Sequence, residues 1–148
     1  MASYHPYLNF AGNAEEAFNF YKTVFGGEFS AVMRFSDMPG CDEMPLSEDD
    51  KNKIAHISLP LENGTNLMAS DSLEAFGQKL NVGNNTYTCI VPDSREDADR
   101  YFNGLSAGGT VQMAMADMPW GDYWGCFADK FGVQWMISHD NKETKPGS

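Results

Sequence analysis

Apolar and polar positions alternate along most of this chain, marking a series of short strands. Two stretches of helical spacing interrupt them. Tyr4-His5-Pro6-Tyr7-Leu8-Asn9-Phe10 splits into a Tyr4/Pro6/Leu8/Phe10 face and a His5/Tyr7/Asn9 face, as the side chains of a strand must. Gly12-Asn13 closes that strand. Asn13 is a natural N-cap, and Glu16, three residues on, completes a box-like helix start. Ala17, Phe18, Tyr21 and Phe25 recur at helical spacing, so a helix is predicted from Ala14 to Phe25, stopped by Gly26-Gly27. Phe29 to Phe35 alternates as a strand. The polar stretch Ser36 to Lys53 holds two prolines, a glycine and an acidic run, and is predicted as a loop. Ile54 to Leu61 is a strand, and Glu62-Asn63-Gly64 is a hairpin turn with the Asn-Gly signal.

The pattern then repeats. Gly64-Thr65-Asn66-Leu67-Met68-Ala69-Ser70 and Gly132-Val133-Gln134-Trp135-Met136-Ile137-Ser138 share one frame at an offset of 68 residues. In each copy one face is plain core, Leu67 with Ala69 and Trp135 with Ile137. The other is mixed, Asn66/Met68/Ser70 and Gln134/Met136/Ser138, and suits the wall of a cavity. Tyr87 to Val91 reads as a strand. Asp93 or Ser94 caps a helix through Ser106 with Ala98, Tyr101, Phe102 and Leu105 as its stripe, and Gly108-Gly109 stops it. Thr110 to Ala116 and Tyr123 to Ala128 are strands, joined to the last one through the turn Asp129-Lys130-Phe131-Gly132. Asp37-Met38-Pro39 answers Asp117-Met118-Pro119 at an offset of 80, so the first copy carries about a dozen extra residues, within Gly40 to Lys53. The expected fold is α+β, two tandem βαβββ repeats forming a cupped mixed sheet with helices outside. The expected organisation is a single domain over 1–148: repeat 1 at 4–71, connector 72–85, repeat 2 at 86–139, and a disordered tail within 140–148.

Composition narrows the function. The formal charge of −11 and pI near 4.4 argue against nucleic acid, whose phosphates need Lys and Arg to replace counterions. Three cysteines, Cys41, Cys89 and Cys126, have no CxxC spacing and fit a reducing compartment without a disulfide framework. The opening residues carry no basic-then-apolar signal, and no apolar run reaches membrane-spanning length. A soluble cytoplasmic protein is expected, with no nucleic-acid or membrane partner.

Particular residues add a family resemblance across nearly the whole chain. Pro6-Tyr7-Leu8 with Phe10-Ala11-Gly12-Asn13, Phe20-Tyr21, Phe25-Gly26-Gly27, Ala55-His56 and Met68 with Ser70-Asp71 carry it in the first half. Asp129-Lys130-Phe131-Gly132-Val133 with Trp135-Met136-Ile137 carries it in the second. With the two βαβββ units, the sequence resembles the vicinal oxygen chelate superfamily of glyoxalase I, extradiol dioxygenases and bleomycin-resistance proteins, and within it the PhnB-like branch. The resemblance implies a glyoxalase/bleomycin resistance/dioxygenase fold and a homodimer. It implies also a cup in which catalytic members hold a divalent metal with His and Glu from the first and last strands of each unit.

Carried over position by position, those ligand sites fall at Met68 and Met136 on the last strands, at Tyr87 on the second unit's first strand, and at His5 or Pro6 on the first. Mg²⁺ and Mn²⁺ want oxygen, and Ni²⁺, Zn²⁺ and Fe²⁺ want imidazole or carboxylate, so a thioether pair is a poor substitute. The expectation is no metal, no cofactor and no Lewis-acid chemistry. Members of the branch often carry a demethylubiquinone methyltransferase label. No glycine-rich turn follows a first strand here, and Gly104-Leu105-Ser106-Ala107-Gly108-Gly109 ends a helix instead of beginning one.

The candidate ligand pocket is Tyr7, Asn9, Met68, Tyr87, Trp120, Trp124 and Met136, for a small organic molecule. Met68 and Met136 either fill core gaps or floor an apolar cavity. Trp120, Trp124 and Tyr123 either shield one end of the core or form a stacking wall. The catalytic candidates are His56 and, after it, His5, although a lone histidine is more often a structural or merely exposed residue. Cys41 and Cys126 read as inert thiols, Asp117 and Asp129 as turn residues, and Glu48-Asp49-Asp50 as a solvated loop without Ca²⁺-loop spacing. The competing function is a metal-dependent lyase, isomerase or dioxygenase with a non-standard site.

Overall fold

The computed structural model describes residues 2–141. The chain divides into two compact units between Asn81 and Val82. In the first, β1 (Tyr7–Phe10) leads into α1 (Ala14–Phe25), followed by β2 (Ala31–Arg34), α2 (Glu48–Lys51), β3 (Ile54–Pro60) and β4 (Asn66–Asp71). In the second, β5 (Thr88–Ile90) leads into α3 (Arg95–Ser106), then β6 (Thr110–Asp117), β7 (Asp122–Ala128) and β8 (Gln134–Asp140). Each unit builds a four-stranded sheet, ordered β1-β4-β3-β2 and β5-β8-β7-β6. The first strand lies parallel to the last, and the other pairs are antiparallel. This is the predicted α+β architecture of two βαβββ units.

One face of each sheet is buried under its helix. Leu67, Ala69, Ile57 and Leu59 meet Ala14, Ala17, Phe18 and Tyr21, all essentially inaccessible. Phe18 stands edge-on to Phe10 at 6.3 Å and to Tyr21 at 5.5 Å, a favoured aromatic arrangement. In the second unit Trp135, Ile137 and Phe127 bury beside Ala98, Phe102 and Leu105, with Phe102 edge-on to Phe127 at 5.0 Å. The two hairpin turns are built alike. Gly64 N–H donates to the Leu61 carbonyl, as Gly132 N–H does to Asp129, and both glycines sit at positive φ, 84° and 88°. These are three-residue loops with glycine in the left-handed position, which a Cβ would strain.

Several local expectations change. The stretch 36–53 is not a plain loop. It winds through short 3₁₀ turns at Phe35–Asp37 and Cys41–Glu43 and then forms α2. Ser47 starts α2, its hydroxyl accepting the Asp50 N–H, and Glu48, Asp49 and Asp50 sit in its first turn, where the helix dipole favours negative charge. The acidic run is therefore a helix start. The extra residues lie between β2 and β3, whereas β6 and β7 are joined by a tight turn in which Gly121 N–H donates to Met118. Asn13 makes no side-chain capping bond. Asp71, arriving from the end of β4, takes that role, its Oδ1 accepting from Gly12 N and Ala14 N. The connector 72–85 holds a 3₁₀ turn at Glu74–Phe76. Asp140 belongs to β8, and the rest of the expected tail, 142–148, lies outside the described residues.

Candidate functional site

The second face of each sheet is open, and it holds most of the sequence-predicted site. In unit 1, β4 buries Leu67, Ala69 and Asp71 and turns Asn66, Met68 and Ser70 outward. Parallel pairing sets Tyr7 beside Met68 and Asn9 beside Ser70. Antiparallel pairing sets Met33 beside His56 and Ser58 beside Met68. The sheet thus gathers Tyr7, Asn9, His56 and Met68 on one surface. Tyr7 Oη lies 3.2 Å from His56 Nδ1, and the two rings stack with centroids 5.8 Å apart. Ser70 Oγ donates to Asn9 Oδ1 at 3.4 Å.

His5 is not free to join this pair. Its Nδ1 accepts the Asn66 backbone N–H at 2.9 Å, which pins the ring to the end of β4. The Pro6 carbonyl accepts the Met68 N–H. Since Tyr7 shares the face of Met68, alternation puts His5 on that face and Pro6 on the other.

In unit 2 the equivalent face carries Cys89, Met136 and Cys126, with Met136 paired to both cysteines. Tyr87, just ahead of β5, donates its hydroxyl to Gln112 Oε1 at 2.6 Å. Gln112 Nε2 in turn donates to Gln134 Oε1 at 2.7 Å. Trp124 pairs with Ser138, and Trp120 meets it edge-on at 6.4 Å while remaining largely exposed. Tyr123 leaves this aromatic group. Its ring lies under the Arg95 guanidinium at 3.8 Å and its hydroxyl donates to Asp99 at 2.6 Å, so it packs against α3. That hydrogen bond to a carboxylate, together with burial, raises its phenol pKa.

Burial also pushes the Cys126 and Cys89 thiols up, away from reactive thiolate character. Cys41 bonds the Ser36 carbonyl in the segment after β2. Asp129 is far more than a turn residue. It is buried and accepts from Phe131 N, Val133 N and the Trp135 indole N–H, the last at 2.8 Å.

Two features escaped the sequence reading. His139, buried at the end of β8 with Nδ1 2.9 Å from the Pro92 carbonyl, occupies the place that Asp71 holds in the first repeat. The repeat offset would have flagged it. A cleft of about 600 Å³ opens beside the start of α1, lined by Gly12, Asn13, Glu15, Asp49, Lys53 and Asp71 among others. None of the expected pocket residues reaches it. Its charged groups are already satisfied: Lys53 Nζ pairs with Asp50 at 2.9 Å and Asp71 accepts three backbone N–H groups.

Comparison with known proteins decides the family. A family model described as 3-demethylubiquinone-9 3-methyltransferase matches residues 2–138. The crystal structure of protein PA1353 from Pseudomonas aeruginosa superposes with a TM-score of 0.81 at 34% identity, over 95% of this chain and 98% of that one. A putative 3-demethylubiquinone-9 3-methyltransferase, PhnB protein, from Bacillus cereus gives 0.72 at 26% identity, over 93% and 99%. The chain belongs to this PhnB-like family of the vicinal oxygen chelate superfamily. At 11% identity, a glyoxylase/bleomycin resistance protein/dioxygenase domain from Frankia sp. EAN1pec shares the fold, with a TM-score of 0.66 over 97% of this chain and 94% of that one.

The groups implied by this membership can be tested against the PhnB-like chain's own residues. A divalent metal fits badly. The outward positions of the last strands are the thioethers Met68 and Met136, with Tyr7 and Cys89 in register. Among the described residues, no three His, Cys, Asp or Glu side chains stand together as a metal cluster. A nucleotide-derived methyl donor fits no better at the turn after β1, because the carboxylate of Asp71 already takes the amides of Gly12 and Ala14. No helix of the described residues is long and apolar enough to cross a membrane.

Proposed function

We propose that this PhnB-like protein binds a small organic molecule on its open sheet faces and lacks the superfamily's usual divalent metal site. The observation that carries the reading is the register of the last strands. The outward positions expected to hold metal-ligating carboxylates are Met68 and Met136, beside Tyr7 and Cys89. Thioethers, phenol and stacked rings suit an apolar or aromatic body, while Asn9, Ser70 and the Tyr87–Gln112–Gln134 chain supply a few polar contacts. Activity in the cytoplasm and as a homodimer belong to the same proposal. Exposed Val32 and Met33 on β2 and Val111 on β6 support the dimer as apolar strand-edge surface.

Elemental analysis of protein purified without chelator tests it, and the expected content of Mn, Fe, Ni and Zn is far below one per chain. A stoichiometric divalent ion would overturn the reading. One further observation favours a second reading, an acid–base site without a standard metal set. Tyr7 and His56 share a hydrogen bond on the open face. If that pair does chemistry, His56→Ala abolishes turnover while the thermal unfolding midpoint stays within a few degrees of wild type. Unchanged turnover would remove this reading and leave the binder.

A further inference from the structure

We propose that the open face of the second unit is a binding site for a soft monovalent cation of the Cu(I) or Ag(I) class. Four sulfur side chains stand in one row across that sheet. Met113 on β6 pairs with Cys126 on β7, Cys126 pairs with Met136 on β8, and Met136 pairs with Cys89 on β5. Cys126 and Met136 lie on the face away from α3, because the alternate residues Phe127, Trp135 and Ile137 are buried in the core. Cys89 joins that face by pairing with Met136, and Met113 stands opposite Cys126 where β6 bulges.

The spacing suits a shared ion. Adjacent strands lie about 4.8 Å apart. Two sulfurs held by one ion at about 2.3 Å each stand at most about 4.6 Å apart, the limit reached in the linear two-coordinate geometry open to d¹⁰ monovalent ions. Met136 is central, and its three side-chain torsions let the thioether swing towards either cysteine. The site is graded in access. Cys126 is 5% exposed, Met136 is half-buried, and Cys89 and Met113 open to solvent, giving an entry side and a protected side. Both cysteines are free thiols, and the one that binds the ion releases its proton to solvent.

The donor set is selective by its chemistry. Thiolate and thioether favour d¹⁰ monovalent ions, whereas Mg²⁺ and Mn²⁺ want oxygen and Zn²⁺ wants four thiolate, imidazole or carboxylate ligands. The row is also not a by-product of the repeat. The corresponding row of the first unit is Ala31, Ser58, Met68 and Tyr7, with a single sulfur.

The test is anaerobic titration of the reduced full chain with Cu(I) against bicinchoninate, read from loss of the coloured competitor complex. One Cu(I) per chain is expected. Cys89→Ser and Met136→Leu each weaken binding by about tenfold or more. Cys41→Ser, in the other unit, leaves it unchanged, and Zn²⁺ is not retained. Met136→Leu conserves volume and keeps the test valid if substitution of buried Cys126 disturbs folding. Wild-type affinity in both Cys89→Ser and Met136→Leu, or loss of the bound ion in Cys41→Ser, would overturn the proposal. Zn²⁺ held as tightly as Cu(I) would do the same.

Discussion

At the scale of single residues, each unit is anchored by a buried aspartate that gathers three N–H donors. Asp71 Oδ1 accepts from Gly12 and Ala14, and its Oδ2 accepts the Ile54 N–H at 2.8 Å. It thus ties the end of β4 to the start of α1 and the start of β3. Asp129 ties the β7–β8 turn to the Trp135 indole. In both, an asparagine would keep one accepting oxygen and turn its NH₂ towards an N–H that needs an acceptor. Hydrogen bonds to a charged group contribute about 1.5–3 kcal/mol, and a buried donor left unpaired costs its desolvation as well. Asp71→Asn and Asp129→Asn are each expected to lose about 2–3 kcal/mol, seen as a lower urea midpoint at unchanged slope. A loss below about 0.5 kcal/mol would show that water replaces the missing acceptor. Sequence spacing suggested turn chemistry at Asp129, but it could not show that the carboxylate is buried. Burial depends on Trp135 folding back over it, which no local pattern reveals.

At the scale of elements, the two long helices begin differently, and this was legible for only one of them. Ser94 caps α3 as its position suggests, its hydroxyl accepting the Asp97 N–H at 3.0 Å. Asn13 occupies the matching position before α1 but makes no such bond, because Asp71 has already claimed the amides there. A long-range partner, 57 residues away from Ala14, displaced the local one. Ser94→Ala is therefore expected to cost about 1 kcal/mol, and Asn13→Ala only a few tenths. Chemical denaturation of the two variants side by side measures the difference, and equal losses would contradict the assignment of Asp71 as the cap. Strand faces were read more reliably than strand ends. The mixed faces of β4 and β8 follow directly from alternation. β6 bulges around Met113, which brings the Met113 carbonyl and the Met115 backbone over Gly125. A Cβ on Gly125 would stand 2.9 Å from that carbonyl, and nothing in the residue order announces so close an approach.

At the scale of the whole molecule, the repeat was legible because it is carried by short motifs at fixed offsets. The candidate site was legible only as far as those motifs fix register, which is why the strand face of Met68 and Met136 could be read but the Tyr7–His56 contact could not. Charge acts at this scale too. With 21 acidic and 10 basic residues, self-repulsion works against the folded state at neutral pH. Specific pairs oppose it. Arg34 grips both oxygens of Glu15, at 2.7 and 3.0 Å, and holds that carboxyl below its usual range, as Arg95 and Asn141 do for Asp117.

The signs of these two effects differ with pH. A depressed carboxylate contributes stability above its unfolded pKa and loses it as pH falls through the folded value, whereas protonating the excess acids relieves repulsion. Acidification therefore mixes the two. Salt at constant pH 7 separates them, because exposed pairs contribute only about 0.2–1 kcal/mol each while the long-range excess of negative charge is screened with a Debye length of about 10 Å at 0.1 M. Raising NaCl from 20 to 500 mM is expected to raise the thermal midpoint by a few degrees. The gain should be larger in Arg34→Ala, which has lost a bidentate pair that salt would otherwise weaken and carries one more unbalanced negative charge. A midpoint that falls with salt in the wild type would mean that the paired charges outweigh the net charge.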